Sequence, residues 1–136
     1  MRAVLDANVL VSALISRSGA AARLIELWIA GEFELVVCRT LLDEVERTLA
    51  QPKISRRLAS EDARGFVHLL EQLAEVVADP EGPPPVHSID PGDDYLLALA
   101  ARERIQLVSG DGHVLALGDK LPISSPRGFL DQLESA

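Results

Sequence analysis

Ala3-Val4-Leu5-Asp6 is a short apolar run that ends on an acid, and Ile105-Gln106-Leu107-Val108-Ser109, broken by Gly110-Asp111-Gly112, repeats that arrangement late in the chain. Apolar runs of this length, bounded by turn residues, read as buried strands. Between them the pattern alternates. Ala20 to Ile29 carries Leu24, Ile25, Leu27 and Trp28 at helical intervals before Gly31, and Phe33 to Cys38 is a second buried strand. Thr40 is the expected N-cap of a helix running through about Ala50, with Leu41, Val45 and Leu49 on its buried face, and Pro52 closes it. Ser60, with Glu61 and Asp62 in the first turn, opens another helix whose inward positions are Phe66, Leu69, Leu70, Leu73 and Val77. Asp79 to Gly92 is a Pro- and Gly-rich loop. Asp90-Pro91-Gly92-Asp93 then supplies an N-cap, a proline at the first helical position and a first-turn acid ahead of an apolar helix over Leu96 to Ala101. Leu121 to Ser124 is a further strand, and Ser125-Pro126 caps a last helix with Phe129, Leu130 and Leu133 inward. Strands alternating with helices predict an α/β protein with a mostly parallel sheet covered on both faces.

The composition agrees. A chain of 136 residues that is 48% apolar can bury the core of one domain, so residues 1–136 are expected to fold as a single unit. Aromatic residues make up only 4% of it, which leaves Leu, Val, Ile and Ala to build the interior. The lone cysteine, Cys38, has no partner for a disulfide or a cysteine-based zinc site and sits in an apolar strand. No leader pattern begins the sequence and no apolar run approaches the roughly 20 residues that span a bilayer. The expected location is the cytoplasm, away from membranes. A formal net charge of −8 excludes a generally basic surface for wrapping duplex DNA, because such affinity comes from Lys and Arg displacing counterions.

The acids carry the chemistry. In an open parallel sheet, loops diverge at the carboxyl ends of the strands and leave a crevice there. Asp6 and Asp111 each follow a strand, while Glu44 and the pair Asp93 and Asp94 lie near the starts of helices that begin at the same edge. Taken singly, each has an ordinary role: Asp6 and Asp111 can make turns or caps, Asp93 and Asp94 can favour a helix dipole, and Glu44 can be a plain helix residue. Together they would repel one another unless a divalent cation neutralised them. Oxygen ligands without a Cys or His cluster point to Mg²⁺ or Mn²⁺. Ser109 can contact a phosphate or satisfy its own backbone. His113 follows Asp111 closely enough to be weighed as a general base, with His68 and His87 behind it, although a lone loop histidine more often faces solvent. Arg17, Arg39, Lys53, Arg56 and Arg57 are candidates for drawing a polyanion to the metal, against the plain reading of each as a solvated charge.

Placed together, Val4-Leu5-Asp6-Ala7-Asn8-Val9-Leu10, Leu42-Asp43-Glu44-Val45, Asp90-Pro91-Gly92-Asp93-Asp94 with Leu97-Ala98-Leu99-Ala100, and Leu107-Val108-Ser109-Gly110-Asp111 resemble the PIN-domain family, specifically the small prokaryotic toxin components of toxin–antitoxin pairs. Ser125-Pro126-Arg127-Gly128-Phe129-Leu130 is similar to the ending of one branch of that family, and the resemblance covers nearly the whole chain. It implies a three-layer α/β/α sandwich and metal-dependent cleavage of RNA. By position, Asp6, Glu44, Asp93 and Asp111 match the family's four acids, and Asn8 matches a polar residue that accompanies the first. Where that branch usually carries an amide after its third acid, this chain has Asp94, which makes Asp93 the favoured ligand and Asp94 a neighbour able to share the role. A small antitoxin and a homodimer are the partners the resemblance implies. Two rivals have to be met. A phosphatase-type enzyme would need a second aspartate where Asn8 stands. A non-catalytic binding module of the same fold would be expected to have lost some of its acids, and all four positions remain acidic.

Overall fold

The computed structural model describes residues 1–135. The chain runs β1 (Arg2–Leu5), α1 (Ala7–Ile15), α2 (Ala20–Ile29), β2 (Glu34–Cys38), α3 (Arg39–Ala50), α4 (Pro52–Ser55), α5 (Ser60–Leu73) and β3 (Glu75–Val77). A 3₁₀ turn at Pro91–Asp93 then leads into α6 (Asp94–Glu103), β4 (Gln106–Val108), α7 (Gly112–Leu115), β5 (Ile123–Ser124) and α8 (Pro126–Glu134).

The strands form one five-stranded sheet in the order β3-β2-β1-β4-β5, and every pairing is parallel. The chain steps outward from β1 to β2 and β3, then returns to lay β4 on the other side of β1. Right-handed crossovers at each step place α1 to α5 on one face of the sheet and α6 and α7 on the other. The packing agrees: α1 meets α2 and α3, α3 meets α5, and α6 rests on β1 and β4. The α/β/α sandwich expected from the sequence is the observed architecture.

Val4, Leu5, Val36, Val37, Leu107 and Val108 are fully buried in the three central strands. Helical Leu10, Leu24, Leu41, Leu70, Leu97 and Leu99 close over them, each contributing on the order of 2 kcal/mol. Phe33 and Phe129 meet edge to face at 5.3 Å and fasten α8 beside the start of β2. Among the described residues no helix is long and apolar enough to cross a membrane.

Several local expectations change. Residues Ala7–Ile15 form a helix that the sequence pattern does not announce, because Val9-Leu10-Val11 is apolar without a helical stripe. The helix after β2 begins at Arg39 rather than behind a Thr40 cap, and the Thr40 N–H instead donates to Asp79 Oδ1 at 2.9 Å, a cap delivered from beyond β3. Val77, expected on the buried face of α5, belongs to β3, where it lies opposite Cys38, and Leu73, expected on that same face, is exposed. Asp90 and Ser125 are the caps the sequence predicts, accepting from the N–H groups of Gly92 (2.9 Å) and Gly128 (3.0 Å).

Candidate active site

The sheet order reverses at β1, so the crevice at its carboxyl end lies between the β1 and β4 loops. Leu5 pairs with Val108, which brings the next residues, Asp6 and Ser109, out side by side. Asp6 caps α1, its Oδ1 accepting from the Val9 N–H at 2.8 Å, and its Oδ2 accepts from the Ser109 hydroxyl. Ser109 Oγ in turn accepts from the Asp111 N–H at 3.1 Å, and Asp111 caps α7 by accepting from the His113 N–H at 2.8 Å. One buried hydroxyl therefore fixes the first acid and the loop that carries the last. Asp6 is only 7% exposed. Burial raises its carboxyl above the usual range, the bonds from Ser109 and Val9 pull it back, and the charges of Glu44 and Asp111 raise it again.

Glu44 enters from α3. Its Oε2 accepts from the Tyr95 hydroxyl at 3.0 Å, so a residue of α6 orients an acid of α3 across the crevice. Burial, reinforced by Glu44, raises the Tyr95 hydroxyl and keeps it a donor. Asp93 closes the 3₁₀ turn before α6. Its Oδ2 is buried and has no hydrogen-bond partner among the described residues. Burial pushes its carboxyl up to about 6, with Asp90, Asp111, Asp6 and Glu44 adding repulsion. An orphaned buried oxygen is costly, and a ligand that pairs with it removes the cost.

Asp6, Glu44, Asp93 and Asp111 thus line one cavity of about 320 Å³, together with Asn8 and Asp90. Asp94 does not join them. Its Oδ2 meets His87 Nδ1 at 2.9 Å and its Oδ1 accepts from the Ser88 N–H at 2.9 Å, which ties the 79–92 loop to α6 and holds the Asp94 carboxyl below its usual range. Ser109 is fully buried, with its hydroxyl already committed to Asp6 and Asp111, so no surface is left for the phosphate contact the sequence allowed. His68, His87 and His113 are exposed. Arg39 is held by Asp43, Glu46 and Glu71, whereas Arg17, Lys53, Arg56 and Arg57 face solvent. A larger groove of about 470 Å³ between α3, α4 and α5, lined by Leu49, Leu58, Ala63 and Val67, contains none of the expected site residues.

Sequence reasoning misses the place of Asp90 and Arg47 in this cavity and the bond that Tyr95 makes to one of its acids. Asp90 is the cap the sequence predicts and lines the cavity as well. Arg47 stands three residues after Glu44, a helical spacing that puts it on the same face, and it lines the cavity. Tyr95 is the only tyrosine of the chain, and a polar tip at the start of an apolar helix was the available signal.

The donor set fits a hard divalent cation: carboxylate oxygens, one of them buried and unpaired, and acids raised by burial and further by mutual repulsion. Among the described residues no three acidic, His or Cys side chains are gathered tightly enough to hold an ion unaided. A cation here would keep water in part of its shell, as Mg²⁺ does.

Among curated proteins none matches the chain. Among solved structures, the chain is similar to VapBC2 from Rickettsia felis bound to a DNA fragment from their promoter, at 14% identity and a TM-score of 0.66 over 92% of this chain and 98% of that one. It is also similar to FitAcB from Neisseria gonorrhoeae, at 18% identity and a TM-score of 0.60 with the same coverage of each chain. These likenesses concern the fold. The sequence itself matches the PIN domain family over residues 2–113, a span that contains all five crevice acids, and the chain belongs to that family.

Proposed function

We propose that this chain is a Mg²⁺- or Mn²⁺-dependent endoribonuclease and the toxin component of a toxin–antitoxin pair. The observation that carries the reading is the unpaired, buried Asp93 Oδ2 in a cavity shared with Asp6, Glu44 and Asp111. Membership of the PIN domain family supports nuclease chemistry, and the fold neighbours VapBC2 and FitAcB support a small antitoxin as partner. A homodimer is part of the same proposal, checked by sedimentation of the purified chain.

Asp6, Glu44, Asp93 and Asp111 would hold the cation, with Ser109 fixing Asp6 and Tyr95 fixing Glu44. When bound, the ion polarises the scissile phosphate, makes water a nucleophile near neutral pH and stabilises the leaving oxygen. The side chains set position: Asn8, exposed at the cavity wall, would offer an amide to a phosphate oxygen, and Asp93 would hold the cation as its carboxylate.

The test is cleavage of single-stranded RNA, structured RNA and DNA with Mn²⁺ or Mg²⁺, comparing the wild type with Asp6→Asn, Asp111→Asn and an EDTA control. Metal-dependent cutting of RNA that both substitutions abolish supports the proposal. Equal inertness of wild type and variants at high enzyme concentration, with no Mn²⁺ affinity at millimolar levels, would move the protein to the binding-module reading.

A further inference from the structure

The face of α3 that meets the cavity is polar along its length. Glu44, Arg47 and Thr48, at i, i+3 and i+4, line it, and so does Gln51, the extended residue that follows the helix. Arg47 is the one cation among the residues lining that cavity, against five carboxylates. It is exposed, and among the described residues its guanidinium takes part in no ion pair. Arg39, on the same helix, shows the contrast: Asp43, Glu46 and Glu71 occupy its donors.

We infer that Arg47 is a backbone-phosphate clamp that seats single-stranded RNA beside the acid crevice, with the amide of Gln51 continuing the contact. The inference rests on the ribonuclease reading and adds a residue to it. A polyanion approaching Asp6, Glu44, Asp90, Asp93 and Asp111 is repelled unless a fixed positive charge holds it from one side, and a guanidinium offers a bidentate fork matched to a phosphate. The span from Glu44 to Gln51 is about 10 Å along the helix, enough for a phosphate at Arg47 next to the one at the cation. Beyond Gln51 the chain turns into α4, and Lys53 on that helix, with Arg56 and Arg57 just after it, are exposed. These three were legible as candidates from the sequence, but of the four only Arg47 lines the cavity.

A role confined to neutralising neighbouring acids, or to favouring the end of α3, makes different predictions. Removing a charge that only offsets carboxylates changes cation affinity, and removing one that only favours a helix end changes the melting temperature. Removing a phosphate clamp changes RNA affinity and its salt dependence.

The experiment measures binding of a short, fluorescein-labelled, mixed-sequence RNA to Asp6→Asn protein, which prevents cutting, with and without Arg47→Ala, Arg47→Lys or the control Arg23→Ala on α2. It is repeated across a salt series, with Mn²⁺ affinity and melting temperature recorded for each protein. Steady-state cleavage by the single Arg47→Ala variant completes the set. The expected results are RNA affinity weakened about tenfold by Arg47→Ala, a salt slope shallower by about 0.7, and partial recovery with Lys. KM should rise by a similar factor while kcat stays near the wild type, Mn²⁺ affinity should be equal or tighter, and Arg23→Ala should change none of these. Wild-type protein that cleaves RNA while Arg47→Ala binds and cleaves it as well removes the clamp and leaves the nuclease reading standing. Loss of RNA affinity with an unchanged salt slope also removes it. Protein that neither binds nor cuts RNA with Arg47 intact removes both.

Discussion

The two ends of the sheet use the same residue types in opposite ways. At the amino end, Arg2 opens β1 and reaches Glu75 at 2.7 Å and Glu103 at 3.0 Å, with Glu34 at 3.9 Å, and Arg102 adds a second bond to Glu103. Those acids are paired, and the bonds from Arg2 and Arg102 hold Glu103 below its usual range. At the carboxyl end, Asp6, Glu44, Asp90, Asp93 and Asp111 share one cavity with a single unpaired arginine, and Asp93 is pushed up to about 6. An acid cluster matched by its own cations holds strands together; one left short of positive charge is prepared for a charge from outside.

The sharpest way to break that contrast is to remove a crevice acid. Asp6→Asn or Asp111→Asn should lower metal-dependent cleavage by on the order of 10³, while leaving the metal-free melting temperature unchanged or higher because repulsion is relieved. Retained cleavage in both would show that the chemistry lies elsewhere. Next comes the hydroxyl that orients Glu44: Tyr95→Phe should weaken Mn²⁺ binding by about tenfold or somewhat more, read by titration calorimetry on the free protein. Unchanged affinity would make the Tyr95 bond a packing feature only.

At the other end, Arg2→Ala should cost about 1–2 kcal/mol in denaturant unfolding, since partly exposed ion pairs contribute little singly and this one joins a network. Cation affinity and cleavage should not change, and a loss of either would dissolve the distinction between the two ends. The smallest effect concerns pH. Asp93 binds its proton more tightly folded than unfolded, and Asp6 shifts in the same direction. Metal-free stability should therefore fall as pH rises from about 4 to about 6. Asp94 and Glu103, whose folded values are depressed, contribute with the opposite sign, and their contribution is lost only below about pH 4. Thermal melts in EDTA at about pH 5 and about pH 7 should show the first slope, and Asp93→Asn should flatten it; a slope that survives that substitution assigns it to other groups.

Local order determined much of this. Val4-Leu5-Asp6 and Leu107-Val108-Ser109 announce buried parallel strands because alternation with helices leaves few other arrangements for so apolar a run, and acids just past strand ends must then share an edge. The caps at Asp90 and Ser125 follow from chemistry within a few residues. Helix α1 was hidden because Val9-Leu10-Val11 is buried around most of its surface, and β3 because Val77 continues the helical spacing of α5.

What only the tertiary structure decided are the relations between residues far apart in sequence. Asp79 caps the helix at Thr40, Tyr95 orients Glu44, Ser109 joins Asp6 to Asp111, and Asp94 is drawn to His87 and Ser88 while Asp93 keeps an unpaired oxygen in the crevice. Sequence spacing gives the side of a helix or the end of a strand on which a side chain emerges. Whether its donors and acceptors are then satisfied depends on which distant segment the sheet order lays against it, and that is settled only when the chain closes on itself.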